Sequence, residues 1–274
     1  MKKENDLAVR FFYATAFGRA LLKAIQRTHA DRLAVRFLQS PRSRAFTARY
    51  VKRNHIPISR EELKQYASFR DFFARDREDT HVDMTPEHLI SPCDGWLSAY
   101  GIQPDSSFAI KNSLYRVKDL LGDDALAKNY EGGTCLVFRL CASDYHHYCY
   151  IDDGRQGPNH YIEGRLHSVQ PIACEHFPIF TLNRRSWCLL DTAHFGPVVQ
   201  TEIGALVVGG IVNRPEGPMV RGQEKGYFDL CGSTIVLLME PGRIELLPEL
   251  AALMGTEQEV RVEQGQWVAT AINK

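Results

Sequence analysis

The hydrophobic period changes once along this chain, near residue 89, and that change limits what the sequence can fold into. Before it, Leu7, Phe11, Ala14, Phe17, Leu21 and Ile25 recur every three or four residues. That is the spacing of one amphipathic helix, with Arg19, Lys23 and Arg27 elsewhere on its surface. A second helical stretch is expected from Asp31 to Gln39, stopping before Pro41. Ser59 followed by Glu62 has the form of a capping box and opens a third helix through Leu63, Tyr66, Phe69 and Phe73. From Leu89 onward short apolar runs take over, at Cys135–Leu140, Tyr145–Ile151, Ala205–Val212 and Leu230–Met239. Turn signals at Asp94-Gly95, Gly132-Gly133, Asp153-Gly154 and Pro241-Gly242 separate or flank them. With no repeat and no alternation of strand and helix, a doubly wound fold or a (β/α) barrel is disfavoured. The expectation is an α+β chain, a mainly antiparallel β-sheet body with an amphipathic helical N-terminal layer. Residues 1–75 form the helical, basic, aromatic-rich region and 76–274 the β-rich domain.

Charge sharpens this division. The chain carries 33 Lys/Arg and 33 Asp/Glu, yet residues 1–60 hold 14 of the basic and 3 of the acidic side chains. A basic end on an otherwise acidic protein suggests a polyanionic surface as partner, either nucleic acid or anionic lipid. Amphipathic helices of this kind can lie flat on lipid, aromatic face inserted and basic groups toward the headgroups. They equally suit packing helices that never touch lipid. The longest apolar run, Ile203 to Val212, is about half the ~18–20 residues a membrane-spanning helix needs. The seven cysteines are odd in number and include no Cys-x-x-Cys pair, so neither a zinc site nor a disulfide framework is indicated. Arg10, Arg19 and Lys23 interrupt any signal-peptide core, and a reducing, cytoplasmic setting is the expectation.

Three short segments carry possible chemistry. Gly232-Ser233-Thr234 lies inside an apolar strand-like run; it reads either as a kinked strand or as a reactive site. With no side chain on Gly232, Ser233 Oγ can approach the carbonyl carbon of residue 232, the geometry of an intramolecular N→O acyl shift. In Ser91-Pro92-Cys93-Asp94-Gly95-Trp96, Asp94 is either an ordinary turn residue or a carboxylate placed to orient an imidazole. In Asp144-Tyr145-His146-His147-Tyr148-Cys149, the adjacent histidines of a strand point to opposite faces. That parity argues against a metal site formed by the pair; each is either a buried structural histidine or a general base.

Taken together and in this order, the segments resemble the phosphatidylserine decarboxylase proenzyme family. Ser68–Arg75 is similar to its helix ending in Phe-Phe-x-Arg, Ser91–Gly95 to its Ser-Pro-x-Asp-Gly turn, and Asp144-Tyr145-His146 to its Asp-Tyr-His strand. Val207–Ile211 looks like its buried Val-Gly-x-Ile strand, and Gly222–Phe228 leading to Gly232-Ser233-Thr234 resembles its self-cleavage segment. The chain departs from the pattern at Cys149, where many members have a second histidine. Cys231 stands where Leu or Gly is common, and Gln170 where Asn is frequent.

The resemblance implies a maturation in which His146, oriented by Asp94, removes the Ser233 Oγ proton. His147 is the reserve candidate for the base and His167 a more distant one. Attack on the Gly232 carbonyl turns the peptide into an ester. Elimination then frees residues 1–232, and hydrolysis with loss of ammonia leaves a pyruvoyl group on the residue 233–274 piece. That group is the only cofactor implied; no metal is. The substrate implied is phosphatidylserine, decarboxylated to phosphatidylethanolamine in phospholipid biosynthesis. The implied partners are this phospholipid, an anionic membrane surface and the protein's own two cleaved chains, with a homodimer admitted and nucleic acid excluded. The implied location is peripheral, on the cytoplasmic face of the cell membrane. A pyruvoyl-dependent decarboxylase of a free amino acid is the nearby alternative. A Ser-His-Asp hydrolase lacks support, since no Gly-x-Ser-x-Gly elbow surrounds Ser233. A non-catalytic lipid- or nucleic-acid-binding protein would use only the basic N-terminus.

Overall fold

The computed structural model describes residues 7–27, 31–77, 80–110, 113–141, 143–165, 167–205, 210–230, 233–256 and 258–272. Six helices come first: α1 (Leu7–Ala14), α2 (Ala16–Arg27), α3 (Asp31–Gln39), α4 (Arg44–Asn54), α5 (Arg60–Leu63) and α6 (Phe69–Phe73). The single helix expected from Leu7 to Ile25 is thus two. Thr15 divides them: its hydroxyl donates to the Phe11 carbonyl at 2.8 Å and accepts the Gly18 amide at 2.9 Å, acting as a cap for α2. The capping box at Ser59 and Glu62 forms as expected. The helix it opens ends at Leu63, however, because Ser68 caps a new one by accepting the Asp71 amide at 3.2 Å. Helix α4, which the hydrophobic spacing did not suggest, ends where His55 turns left-handed at φ 53°.

The strands that position the site are β1 (Gly95–Gly101), β2 (Thr134–Leu140), β3 (His147–Cys149), β4 (Arg185–Thr192), β5 (Gly196–Ile203), β6 (Gly210–Asn213), β7 (Glu224–Asp229) and β8 (Ser233–Met239). A nine-stranded sheet runs β4–β5–β8–β2–β1 through its middle, with the short strands 154–156 and 217–219 beyond β4 and 260–262 beyond β1; strand 160–162 also pairs β4. The pairings are antiparallel throughout. A second sheet has the order β6–β7–β3. The expected strand Tyr145–Ile151 shortens to β3 because the Asp144 carboxylate accepts the Cys141 amide at 2.6 Å, folding the chain into a turn just after β2. Of the expected strand Ala205–Val212, residues 210–212 lie in β6, and Leu206, Val207, Val208 and Gly209 lie outside the described residues.

Every residue of β8 is buried, and its side chains alternate between two cores. Ile235, Leu237 and Met239 join Leu136, Phe138 and Leu140 on one face. Val236 and Leu238 join Cys135, Val137, Val199 and Ile203 on the other, where Tyr13 and Leu22 of the N-terminal helices also pack. A third cluster, Leu38, Val51, Ile56, Phe69, Phe72, Phe73 and Leu230, ties α3, α4 and α6 to the residues just ahead of β8. Helices α1 to α4 leave Phe11, Phe17, Leu21, Leu33, Phe37 and Phe46 exposed. Among the described residues, no helix is long and apolar enough to cross a membrane.

Candidate active site

Three neighbouring strands end at the same place. Ser233, the first residue of β8, pairs with Leu140, the last of β2. On the other side of β2, Trp96 of β1 pairs with Arg139. Gly95 therefore lies beside Leu140, so close that an added Cβ would sit 2.8 Å from the Arg139 carbonyl oxygen. The tight approach of two backbones, rather than the turn, requires glycine here. With strands about 4.8 Å apart, this register gathers Asp94, the segment after Leu140 that carries His146, and Ser233 at one end of the central strands.

His146 is 1% exposed. Its Nδ1 lies 2.9 Å from the Asp144 carbonyl, which accepts, so Nδ1 carries the hydrogen and Nε2 is the bare nitrogen. The Phe73 ring lies over the imidazole at 4.1 Å between centroids. Burial pushes its pKa down to about 3; the Asp144 carbonyl and the Asp94 charge oppose that shift, while Arg75 and His147 add to it. Nε2 has no hydrogen-bond partner among the described residues, and neither has the fully buried Ser233 Oγ. Gly232 and Cys231 lie outside the described residues. Just before them, buried Leu230 takes φ 82°, a left-handed conformation that costs a bulky side chain on the order of 1–3 kcal/mol.

Asp94 does not orient His146 through a hydrogen bond, and that expectation is corrected. Arg77 grips both carboxylate oxygens at 2.7 and 3.2 Å, and the Gln264 amide donates to one of them at 2.9 Å. The imidazole, meanwhile, is satisfied locally by Asp144, whose own carboxylate is held by Arg261 at 2.9 Å and the Cys141 amide. Desolvation nonetheless raises the Asp144 pKa, Arg261 opposing it.

The reserve histidines are differently placed. His147 has no bare nitrogen: Nδ1 faces Glu224 at 2.6 Å and Nε2 the Ala74 carbonyl at 3.2 Å, and its ring is stacked between Tyr145 and Tyr227. Asp76 brings a carboxylate oxygen within 4.8 Å of these donor atoms, but hydrogen bonds to Glu224 and Ala74 already account for both imidazole nitrogens. His167 Nε2 has no partner among the described residues, but the ring packs on Phe177 and Tyr13, in the core that faces away from Ser233. Cys149 stands beside the Ser91–Asp94 turn, its amide donating to the Pro92 carbonyl at 2.9 Å. Burial pushes its thiol up to about 12, so it is no base at neutral pH.

Sequence reasoning missed Arg75 and Arg77. Arg75 was visible as the end of the Phe-Phe-x-Arg stretch, but nothing in the spacing connects Arg77 with Asp94, a contact made by tertiary folding alone. Arg75 is half-buried, with its guanidinium 4.6 Å above the Phe72 ring and one N–H donating to the Phe72 carbonyl at 3.2 Å. Between α4 and α5, Arg44, Arg49, Lys52, Arg60 and Lys64 line a groove of about 630 Å³ together with Val51, Ile58 and Leu63.

The family model described as phosphatidylserine decarboxylase matches residues 69–269, which include Arg75, Arg77, Asp94, Asp144, His146 and Ser233. The phosphatidylserine decarboxylase proenzyme 2 of Clostridium acetobutylicum is 38% identical over 97% of this chain and 92% of its own length. A phosphatidylserine decarboxylase proenzyme of Desulfitobacterium hafniense is 34% identical over 91% of this chain and 87% of its own length. One from Clostridium perfringens is 32% identical over 95% and 92%. Each of these comparisons is with a phosphatidylserine decarboxylase, and the chain belongs to the phosphatidylserine decarboxylase family of lyases.

Proposed function

We propose that this chain cuts its own backbone between Gly232 and Ser233, carries a pyruvoyl group made from Ser233, and converts phosphatidylserine to phosphatidylethanolamine at a membrane surface. The observation that carries the reading is two bare, buried polar atoms at the same end of the central strands, Ser233 Oγ and His146 Nε2. Buried polar atoms are seldom left without partners. A hydroxyl with a proton to lose and an imidazole nitrogen able to take it account for both.

In maturation, His146 Nε2 takes the Ser233 Oγ proton. Its lowered pKa keeps the imidazole neutral, and so able to accept, near neutral pH. Asp144 holds the ring in the required tautomer through its backbone carbonyl. Asp94 acts at a distance: its charge favours the imidazolium that forms. The strained backbone at Leu230 lies two residues ahead of Gly232, whose bond to Ser233 breaks. The buried, unpartnered position of Ser233 suits a small group built from that residue. Once formed, a pyruvoyl group supplies a ketone that condenses with a primary amine and an electron sink for the departing carboxylate. Around it, neutral His146 keeps Nε2 free to accept a proton, and Phe73 lies over the imidazole.

The substrate reaches this site from lipid. The helices up to residue 75 carry the exposed aromatic side chains Phe11, Phe17, Phe37 and Phe46 together with the cationic groove on α4 and α5, features that support a peripheral attachment to an anionic leaflet on the cytoplasmic side. Residues 76–274 hold the catalytic groups.

Intact mass spectrometry of freshly purified protein tests the central step. Wild type is expected as two pieces, 1–232 and 233–274, the second carrying a carbonyl that borohydride reduces. Ser233→Ala is expected as one chain. Assays of the cleaved protein on micellar phosphatidylserine and on free amino acids then define the substrate. An unbroken wild-type chain without a trappable carbonyl would overturn the reading.

A further inference from the structure

Arg75 follows directly on the residues that touch the two histidines of the site. Phe73 lies against His146, and the Ala74 carbonyl faces His147 Nε2. Guanidinium groups stay charged in proteins and offer five N–H donors in a rigid fork. Arg77, next along the chain, spends its fork on Asp94. Arg75 does not: among the described residues its one hydrogen bond is to the Phe72 carbonyl, and no carboxylate pairs with it. Its neighbours are aromatic. The Phe72 ring lies under it, and Tyr66 and Tyr50 pack around that same ring at 5.8 and 6.5 Å. A half-buried cation with most of its donors unused, near enough to the buried His146 to act on its charge, is a site for an anion.

On the decarboxylase reading the substrate brings two anions, the carboxylate that leaves and the phosphodiester that stays. Chemistry decides between them. The carboxylate loses its charge as carbon dioxide forms, so a cation paired with it stabilises the ground state more than the transition state and slows the reaction. The phosphodiester keeps its charge throughout, and a cation there contributes equally before and during bond cleavage. We infer that Arg75 forms the phosphodiester subsite of this enzyme, anchoring the headgroup beside His146 while the scissile carboxylate is left without a cationic partner.

The test compares wild type, Arg75→Gln and Arg75→Lys on two substrates: phosphatidylserine in mixed micelles, and an O-acyl serine, which lacks the phosphate. Losing a hydrogen bond to a charged group costs about ten- to a hundredfold in affinity. Arg75→Gln is expected to raise KM for phosphatidylserine by about that factor with kcat held, to leave O-acyl serine turnover unchanged, and Arg75→Lys to recover part of the loss. A parallel measurement in uncleaved Ser233→Ala protein follows binding of short-chain phosphatidylserine by calorimetry, with the same weakening expected on adding Arg75→Gln. This arm decides the matter if Arg75→Gln alone fails to mature. An unchanged KM, an equal loss on both substrates, or a kcat that rises on Arg75→Gln (the mark of a carboxylate partner) would overturn the subsite. A wild-type protein inactive on phosphatidylserine would instead sink the reading on which it rests.

Discussion

At the scale of single residues, the site depends on one imidazole kept dry and neutral. His146→Gln preserves a polar side chain of similar length but removes the base. Self-cleavage is expected to slow by about 10²–10⁴-fold, followed as the disappearance of full-length chain by mass spectrometry. The same burial has a thermodynamic cost. Folded His146 and His167 have pKa values pushed down to about 3 and 4, both by desolvation first. The unfolded chain therefore binds more protons than the folded one between those values and about 6.5, and folding stability falls as pH drops through that window. Each histidine contributes up to about 1.4 kcal/mol per pH unit. In urea titrations from pH 6.5 to 4.5, His167→Gln is expected to flatten the decline relative to wild type. Ser233, His146 and Asp94 were legible in the sequence because each sits in a short segment with its own chemical logic. Their mutual geometry was not. That the Asp144 backbone carbonyl orients the imidazole, and that Arg77 claims Asp94, depends on contacts between segments that no local spacing encodes.

At the scale of elements, β8 is the piece on which the molecule turns. It is central, wholly buried and paired on both sides, to β5 and β2. Cleavage ahead of Ser233 would leave those pairings intact, so the 1–232 and 233–274 pieces are expected to co-elute in native gel filtration and to separate only in denaturant. The approach to β8 is fixed by a buried ion pair. Lys225 of β7 contacts Glu202 of β5 at 2.8 Å and Asn213 of β6 at 3.0 Å, both charged side chains being fully buried. Lys225→Met would leave Glu202 buried and unpaired and is expected to cost about 3–5 kcal/mol, measured by chemical denaturation of the uncleaved Ser233→Ala protein. The apolar runs made β2 and β8 easy to read from sequence. The third helix was misread as continuous because its hydrophobic spacing runs straight past Ser68, where a side-chain cap to Asp71 outcompetes propagation. Strand β3 was overextended because an aspartate turn replaces the ladder at Asp144.

At the scale of the whole molecule, the division seen in the charge pattern becomes a division of surfaces. Exposed aromatic and basic side chains crowd the helical layer, while the reactive residues sit inside the β body. Sedimentation with vesicles containing phosphatidylglycerol is expected to carry the protein down at low salt, and to fall steeply as ionic strength rises. Phe17→Ser, which removes a side chain 72% exposed, should weaken that association without altering self-cleavage in detergent. Composition foreshadowed this surface; the burial of Tyr13 and Leu22 in the same core as Val236 and Leu238 it did not, because one helix face serves the body and another is left bare.

The place of Ser233 at the head of an inserted strand sets an order of events. Its flanking partners, β2 and β5, are translated earlier, and the hydroxyl gains its secluded neighbourhood only when the last gap between them is filled. On the proposed reading, a chain that assembles wrongly has no means to arm itself. Activation then doubles as an inspection, passed only by molecules whose architecture is already complete.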